Sequence, residues 1–188
     1  MSIEKVKEYF KNFGREGDIL EFSVSSATVE LAAKALNTDG ARICKTLSFK
    51  TESGCILVCA AGDARIDNKK FRQTFGLKAK MLTPEEVVEF TGHKIGGVCP
   101  FGIENDCVKV FCDESLRRFS TVFPACGSSN SAIELTPDEL FELSGSIDWV
   151  EVSKLPEYCL NILHKNPVLL NGIFILSIFL FFLFLIQH

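Results

Sequence analysis

The chain has little positive charge to spare. Lys and Arg number 20 against 24 Asp and Glu among 188 residues, a formal net charge of −4. Broad non-specific binding along nucleic acid needs a dense cationic surface, so that class is excluded; docking one end of an RNA is not. Cysteine is plentiful, at eight residues, but metal-type spacing is lacking. No C-x-x-C occurs, Cys55 and Cys59 share one apolar run, and Cys107 and Cys112 bracket another. Neither a zinc site nor a disulfide framework fits, and the cysteines read as small buried hydrophobes in a reducing compartment. A secretory leader is missing too, because Met1 to Lys11 is charged and amphipathic. There is no internal repeat, no paired-carboxylate constellation and no metal-ligand set, so the sequence calls for no cofactor.

What is present is a mixture of short helical and strand patterns. Ser2 to Phe13 carries Val6, Phe10 and Phe13 at helical spacing, and Ile19 to Val24 reads as a strand. Ser25 and Ser26 offer caps for a helix with the stripe Val29, Ala32, Ala33 and Leu36, ended by Asn37 to Gly40. A strand around Lys45 follows. Cys55 to Ala61 is continuously apolar, as expected of a strand buried on both faces. Asp67 or Asn68 caps a helix bearing Phe71 and Phe75. Thr83-Pro84-Glu85-Glu86 and Thr136-Pro137-Asp138-Glu139 are capping-box starts with proline at the first helical position. Strands are expected near Cys107 to Cys112, at Thr121 to Ala125 and at Trp149 to Val152, with a short helical turn from Glu114 to Phe119. The elements mix without strict βαβ alternation, so the fold class is α+β with a mixed, barrel-like curled sheet and surrounding helices.

Residues 1–154 form one expected domain, 155–167 a linker, and 168–186 an apolar segment interrupted only by Asn171, Gly172 and Ser177. Taken at face value that segment is a C-terminal hydrophobic helix able to cross a membrane. The competing reading is an aberrant tail from a shifted reading frame. The expected location is the cytoplasm, with a membrane partner only through 168–186.

Three features can carry chemistry. In Ile43 to Phe49, alternation puts Lys45 on the same face as Ile43, Leu47 and Phe49. An amine on a core-facing side is unfavourable unless it reaches water or meets a polar partner, so Lys45 is either a stem crossing the core or an amine in a pocket. The loop Gly96-Gly97-Val98-Cys99-Pro100-Phe101-Gly102 has a backbone able to approach a ligand closely and amides able to bind an anion or a developing oxyanion. It is neither a Walker loop nor a dinucleotide fingerprint. Gly127-Ser128-Ser129-Asn130-Ser131 is a cluster of short hydrogen-bonding groups. Cys99 with His93 is a weaker nucleophile–base pair; its plain alternative makes Cys99 a pocket wall and places His93 on the surface. The stretch Asp63 to Arg72, with Lys78 and Lys80, is the only locally basic one and could steer a phosphate backbone.

Arg42-Ile-Cys-Lys45-Thr-Leu, Ala60-Ala-Gly-Asp-Ala-Arg-Ile-Asp67, Gly96 to Gly102 and Gly127 to Leu135, in this order, resemble the YbaK/prolyl-tRNA-synthetase-associated editing domain family. The resemblance covers roughly Ser2 to Val152. It implies a hydrolase that removes wrong amino acids from aminoacyl-tRNA, chiefly tRNA for proline, with prolyl-tRNA synthetase as a further partner. The family's lysine corresponds to Lys45, its G-x-x-x-P loop to Gly96 through Pro100, and the loop bordering its amino-acid pocket to Gly127 through Asn130. By this resemblance Lys45, Gly96 and Gly97 act in catalysis. Thr46, Val98, Cys99, Pro100, Gly127, Ser128, Ser129 and Asn130 bind substrate.

The implied chemistry is ester hydrolysis without a metal. Lys45 holds the 3′-terminal adenosine or its phosphate, loop amides receive the ester oxygen, and the ribose hydroxyl positions water. The branch that resembles cysteinyl-tRNA deacylases carries an aspartate before Ile-Glu-Leu, where this chain has Ala132. Cysteine as the removed amino acid is therefore in doubt. Two other functions compete: a non-catalytic module that binds tRNA or a synthetase, and a membrane-tethered sensor of a small ligand.

Overall fold

The computed structural model describes residues 3–156, and a compact unit runs to Lys154. The expected linker beyond residue 156 and the apolar segment 168–186 lie outside the described residues. Among the described residues, no helix is long and apolar enough to cross a membrane.

The chain opens with α1 (Ile3–Lys11), which buries Val6 and Phe10. The next strand, β1, is only Leu20–Glu21, shorter than expected, because the chain from Phe22 to Ser26 bonds instead to the loop at Ser129 and Asn130. In α2 (Val29–Leu36) the cap is Thr28, whose hydroxyl accepts from the Leu31 amide at 3.3 Å. Ser25 and Ser26, read above as caps, hydrogen-bond the Ser129 carbonyl instead. Asn37 ends α2 in the left-handed region, where its short polar side chain is tolerated.

The core is built on β2 (Ile43–Lys50) and β3 (Cys55–Ala61). They pair antiparallel from Cys44 opposite Ala61 to Lys50 opposite Cys55. After β4 (Arg65–Ile66), Asp67 caps α3 (Asn68–Phe75), its carboxylate accepting the Lys69 and Lys70 amides. Both capping boxes form: Thr83 with Glu86 opens α4 (Pro84–Thr91), and Thr136 with Glu139 opens α5 (Pro137–Leu143). The remaining strands are β5 (Val108–Asp113), β6 (Phe123–Pro124), β7 (Ser131–Ala132), β8 (Trp149–Val150) and β9 (Ser153–Lys154). A short 3₁₀ turn at Glu114–Arg118 follows β5.

The main sheet is mixed, in the order β6-β2-β3-β5-β8, with every pair parallel except β2–β3. Antiparallel ribbons β1–β7 and β4–β9 flank it, and an Ala125–Ala132 bridge ties the β6 edge to β7. Among the described residues β8 and β1 do not pair, so the curl expected of a barrel does not close into a hydrogen-bonded ring. β3 is central and buried at every position, which explains its uninterrupted apolar sequence. One apolar cluster joins Phe49, Ile56, Val58, Ala60 and Phe71 to Val150 and Val152. Burying Phe71 contributes roughly 1.5–3 kcal/mol. A second cluster joins Ala32, Ile43 and Phe123.

Candidate active site

The site begins where the outermost strand of the sheet stops short. β6 pairs with β2 only at Ile43 and Cys44. Further along, the Ser48 carbonyl accepts from the Leu82 amide, and the Lys50 amide donates to the Lys80 carbonyl. Between those contacts the edge of β2 is uncovered, and a cavity of about 270 Å³ opens there. Lys45, Thr46, Gly96, Val98, Phe123 and Ala132 all line it. Met81 and Ile95, 52% and 63% exposed, bring apolar side chains to the same lining.

Lys45 sits between the two apolar clusters, with Ile43 in one and Leu47 against the other. Its amine neither crosses to open water nor stands alone. It donates to the Gly62 carbonyl at 2.9 Å and to the Ala64 carbonyl. A lysine amine has three N–H bonds, so one remains for a ligand. Burial pushes its pKa below the usual 10.5, an effect that nearby Asp63 opposes. Asp63 lies in the same turn and is gripped by both terminal nitrogens of Arg118, at 3.1 and 2.5 Å. That fork fixes the turn whose carbonyls aim the lysine. The sequence marks Gly62 and Asp63 only as part of a family stretch and gives no role to Arg118, because their bearing on Lys45 is purely spatial.

The glycine loop divides into two sides. Gly96 and Val98 line the cavity. Gly97 is buried, and its amide donates to the Lys94 carbonyl. A Cβ at Gly97 would stand 2.8 Å from three Ser128 backbone atoms. Gly96 takes a positive φ of 89°, and a Cβ there would meet Ala27 at 2.9 Å. The two glycines are thus required by a close approach to neighbouring loops.

Cys99 and Pro100 do not take the positions expected of substrate contacts. Cys99 is 0% exposed and absent from the cavity wall, and Pro100 lines a separate cavity beside Tyr9 and Gly102. His93 is also 0% exposed rather than a surface residue. Its Nε2 lies 3.4 Å from the Cys99 sulfur, and its Nδ1 has no partner among the described residues. Burial drives the two in opposite directions, the thiol up to about 12 and the imidazole down to about 4. Both are neutral near pH 7, and a neutral sealed thiol is no nucleophile.

The polar loop is also displaced from its expected place. Gly127, Ser128, Ser129 and Asn130 do not line the cavity; their successors Ser131 and Ala132 do. Several of their polar groups are engaged within the protein. The Ser129 carbonyl accepts from the Ser26 amide at 2.6 Å, Asn130 exchanges bonds with the Phe22 backbone, and Ser128 donates to Ser131 at 2.7 Å. The loop ties down the Phe22 to Ser26 segment beside the site. No group of acidic, histidine or cysteine residues among the described residues could hold a metal ion.

A second cavity, of about 860 Å³, lies further along β2 and is lined by Lys50, Lys78, Lys80 and Lys109, with Glu52 and Asp106. Lys50 is four residues past Thr46, a rise of about 13 Å along the strand. The basic stretch seen in the sequence is therefore split. Lys70, on α3, pairs with Glu151 beyond β8 at 2.6 Å, while Lys78 and Lys80 face this second cavity.

The fold is that of a compact α+β editing-type domain. A solved structure described as a proposed trans-editing enzyme for prolyl tRNA synthetase matches it with a TM-score of 0.73 at 30% identity, over 81% of this chain and 96% of that one. The chain belongs to the aminoacyl-tRNA editing domain family, whose profile matches residues 24–143. YwhH of Bacillus subtilis strain 168, itself uncharacterized, is 59% identical over 155 residues, 82% of this chain and 98% of that one. Proline–tRNA ligase of Thermosipho melanesiensis is 33% identical over 91 residues, 48% of this chain but only 16% of the ligase.

Proposed function

We propose that this protein is a freestanding aminoacyl-tRNA deacylase that clears a small wrong amino acid from tRNA, with tRNA for proline the leading candidate. The observation that carries the reading is the Lys45 amine, half-desolvated in a cavity wall and aimed by two backbone carbonyls, in a chain of the editing family. Lys45 uses its remaining N–H to hold a phosphate or ribose oxygen of the terminal adenosine, which fixes the ester over the glycine loop. Water adds to the ester carbonyl carbon. The bond from that carbon to the ribose oxygen breaks, and the ribose oxygen takes a proton. The amides of Gly96 and Val98, the loop residues that line the cavity, favour the charge that develops on the carbonyl oxygen.

The cavity walls supply selection. About 270 Å³ with Phe123, Val98, Ala125 and Ala132 in its lining suits a small side chain and excludes a large one. Ala132 brings a methyl group where an aspartate would favour a different substrate. The Lys50, Lys78, Lys80 and Lys109 cavity receives backbone phosphates of the acceptor end, which lets an acidic protein hold RNA locally. The similarity to proline–tRNA ligase and to the proposed trans-editing enzyme supports prolyl-tRNA synthetase as the enzyme whose errors are cleared.

A panel of mischarged tRNAs offered to the purified chain tests this reading. Multiple turnover on at least one small aminoacyl-tRNA is expected. Binding without turnover on every member would replace the enzyme with a tRNA- or synthetase-binding module.

A further inference from the structure

The uncovered edge of β2 leaves one residue's main chain unaccounted for. Ser48 and Lys50 turn their backbone groups outward, to Leu82 and Lys80. Backbone direction alternates along a strand, so Thr46 turns its N–H and C=O outward as well. The parallel ladder with β6 ends at Cys44 opposite Pro124, and the Phe49–Met81 bridge begins beyond it. Thr46 falls in the gap. Neither its amide nor its carbonyl has a partner among the described residues, and Thr46 lines the cavity. Its hydroxyl is occupied differently, lying 3.9 Å from the Cys59 sulfur. What Thr46 offers a ligand is therefore a donor and an acceptor of the peptide backbone, side by side. Backbone groups unpaired at a cavity wall are open to a ligand that carries the matching acceptor and donor.

We propose that the main chain of Thr46 receives the α-amino acid portion of the substrate as a one-residue strand. The Thr46 carbonyl accepts from the α-ammonium group, and the Thr46 amide donates to the ester carbonyl oxygen. An α-amino acid ester carries the same donor and acceptor as one residue of a pairing strand, so both bonds form together, as in β-augmentation. The contact reads the α-amino group and the carbonyl, which every aminoacyl-tRNA has, and leaves the side chain to the walls. It also fixes handedness. Directly opposed residues project to the same face of a sheet, so an L side chain falls on the face shared by Cys44, Thr46 and Ser48, and a D side chain on the Lys45 face. The Thr46 amide also adds a donor to the ester oxygen from the strand, in the cavity that Gly96 and Val98 share.

This inference rests on the aminoacyl ester reading above, and its test separates the two. The full chain, labelled with ¹⁵N, is titrated with the amide-linked analogue 3′-alanylamino-3′-deoxyadenosine and with its N-acetyl derivative. The Thr46 amide resonance should shift on binding the first, and acetylation should weaken binding by about tenfold or more, since a charged hydrogen bond is lost. Binding with the Thr46 amide unmoved, equal affinity for the acetylated compound, or no binding of the analogue each overturns the proposal. Alanyl-tRNA and N-acetylalanyl-tRNA are hydrolysed in parallel. A shifted Thr46 amide with no hydrolysis upholds the subsite and removes the enzyme. Hydrolysis at equal kcat/KM for both tRNAs keeps the enzyme and removes the subsite.

Discussion

The two sides of the glycine loop lie a few residues apart in the chain and have opposite chemistry. On one side Gly96 and Val98 share a cavity with Lys45, whose amine keeps a free N–H. On the other, Cys99 and His93 touch at 3.4 Å in a sealed interior. A list of reactive side chains would favour the thiol and imidazole. Burial reverses that choice, since desolvation without a compensating charge leaves both neutral. The lysine is desolvated as well, but backbone carbonyls and the Asp63 carboxylate offset part of the penalty. Access, together with the partners of the charged form, decides which side can act.

The sharpest way to break this contrast is Lys45→Ala. Deacylation should fall by about 100-fold or more, the usual scale for losing a positioned electrostatic group. Wild-type kcat/KM in a folded variant would remove Lys45 from the mechanism. Next in size is Gly97→Ala. Its methyl would press on the Ser128 backbone, costing about 1–3 kcal/mol and misplacing the loop. Chemical denaturation and kcat should fall together.

Neutralising Lys78 and Lys80 to Gln should raise KM several-fold, roughly in step with two lost phosphate contacts, and flatten the salt dependence. An unchanged salt slope would detach the second cavity from RNA. Cys99→Ala should leave kcat/KM within about threefold, because the sealed thiol carries no thiolate for attack. A loss comparable to that of Lys45→Ala would restore the nucleophile reading.

The pH responses separate the two sides further. If protonated Lys45 is required, the alkaline limb of kcat/KM, corrected for spontaneous ester hydrolysis, should lie below 10.5. His93 acts on stability instead. Its folded pKa is near 4 against 6.5 unfolded, so the unfolded chain takes up the proton first as pH falls. Stability should hold above pH 6.5 and drop progressively toward pH 4. Denaturant melts of His93→Gln should show a shallower loss over that window.

Much of the fold was legible because its signals are local. Both capping boxes, the apolar β3 run and the α2 stripe appear where the sequence puts them. The errors fall where tertiary partners overrode local chemistry. Ser25 and Ser26 are good caps, yet the Ser129 carbonyl took them. Ser128 to Asn130 look like ligand contacts, yet the Ser128 hydroxyl, the Ser129 carbonyl and the Asn130 amide bond Ser131, Ser26 and Phe22. His93 follows a helix end, a surface position in most proteins, but the loop folds over it.

Strand parity alone established that Lys45 belongs on an apolar face, because alternation is a property of consecutive residues. Motif order pointed to the family that the profile match over residues 24–143 shows. Tertiary structure alone decided what the lysine meets, which side of the glycine loop is open, and that Thr46 presents an unpaired backbone. Those depend on where β6 ends relative to Met81 and on how the Gly62 to Ala64 turn lies across the strand. Such distances join residues far apart in the chain, and no local pattern encodes them.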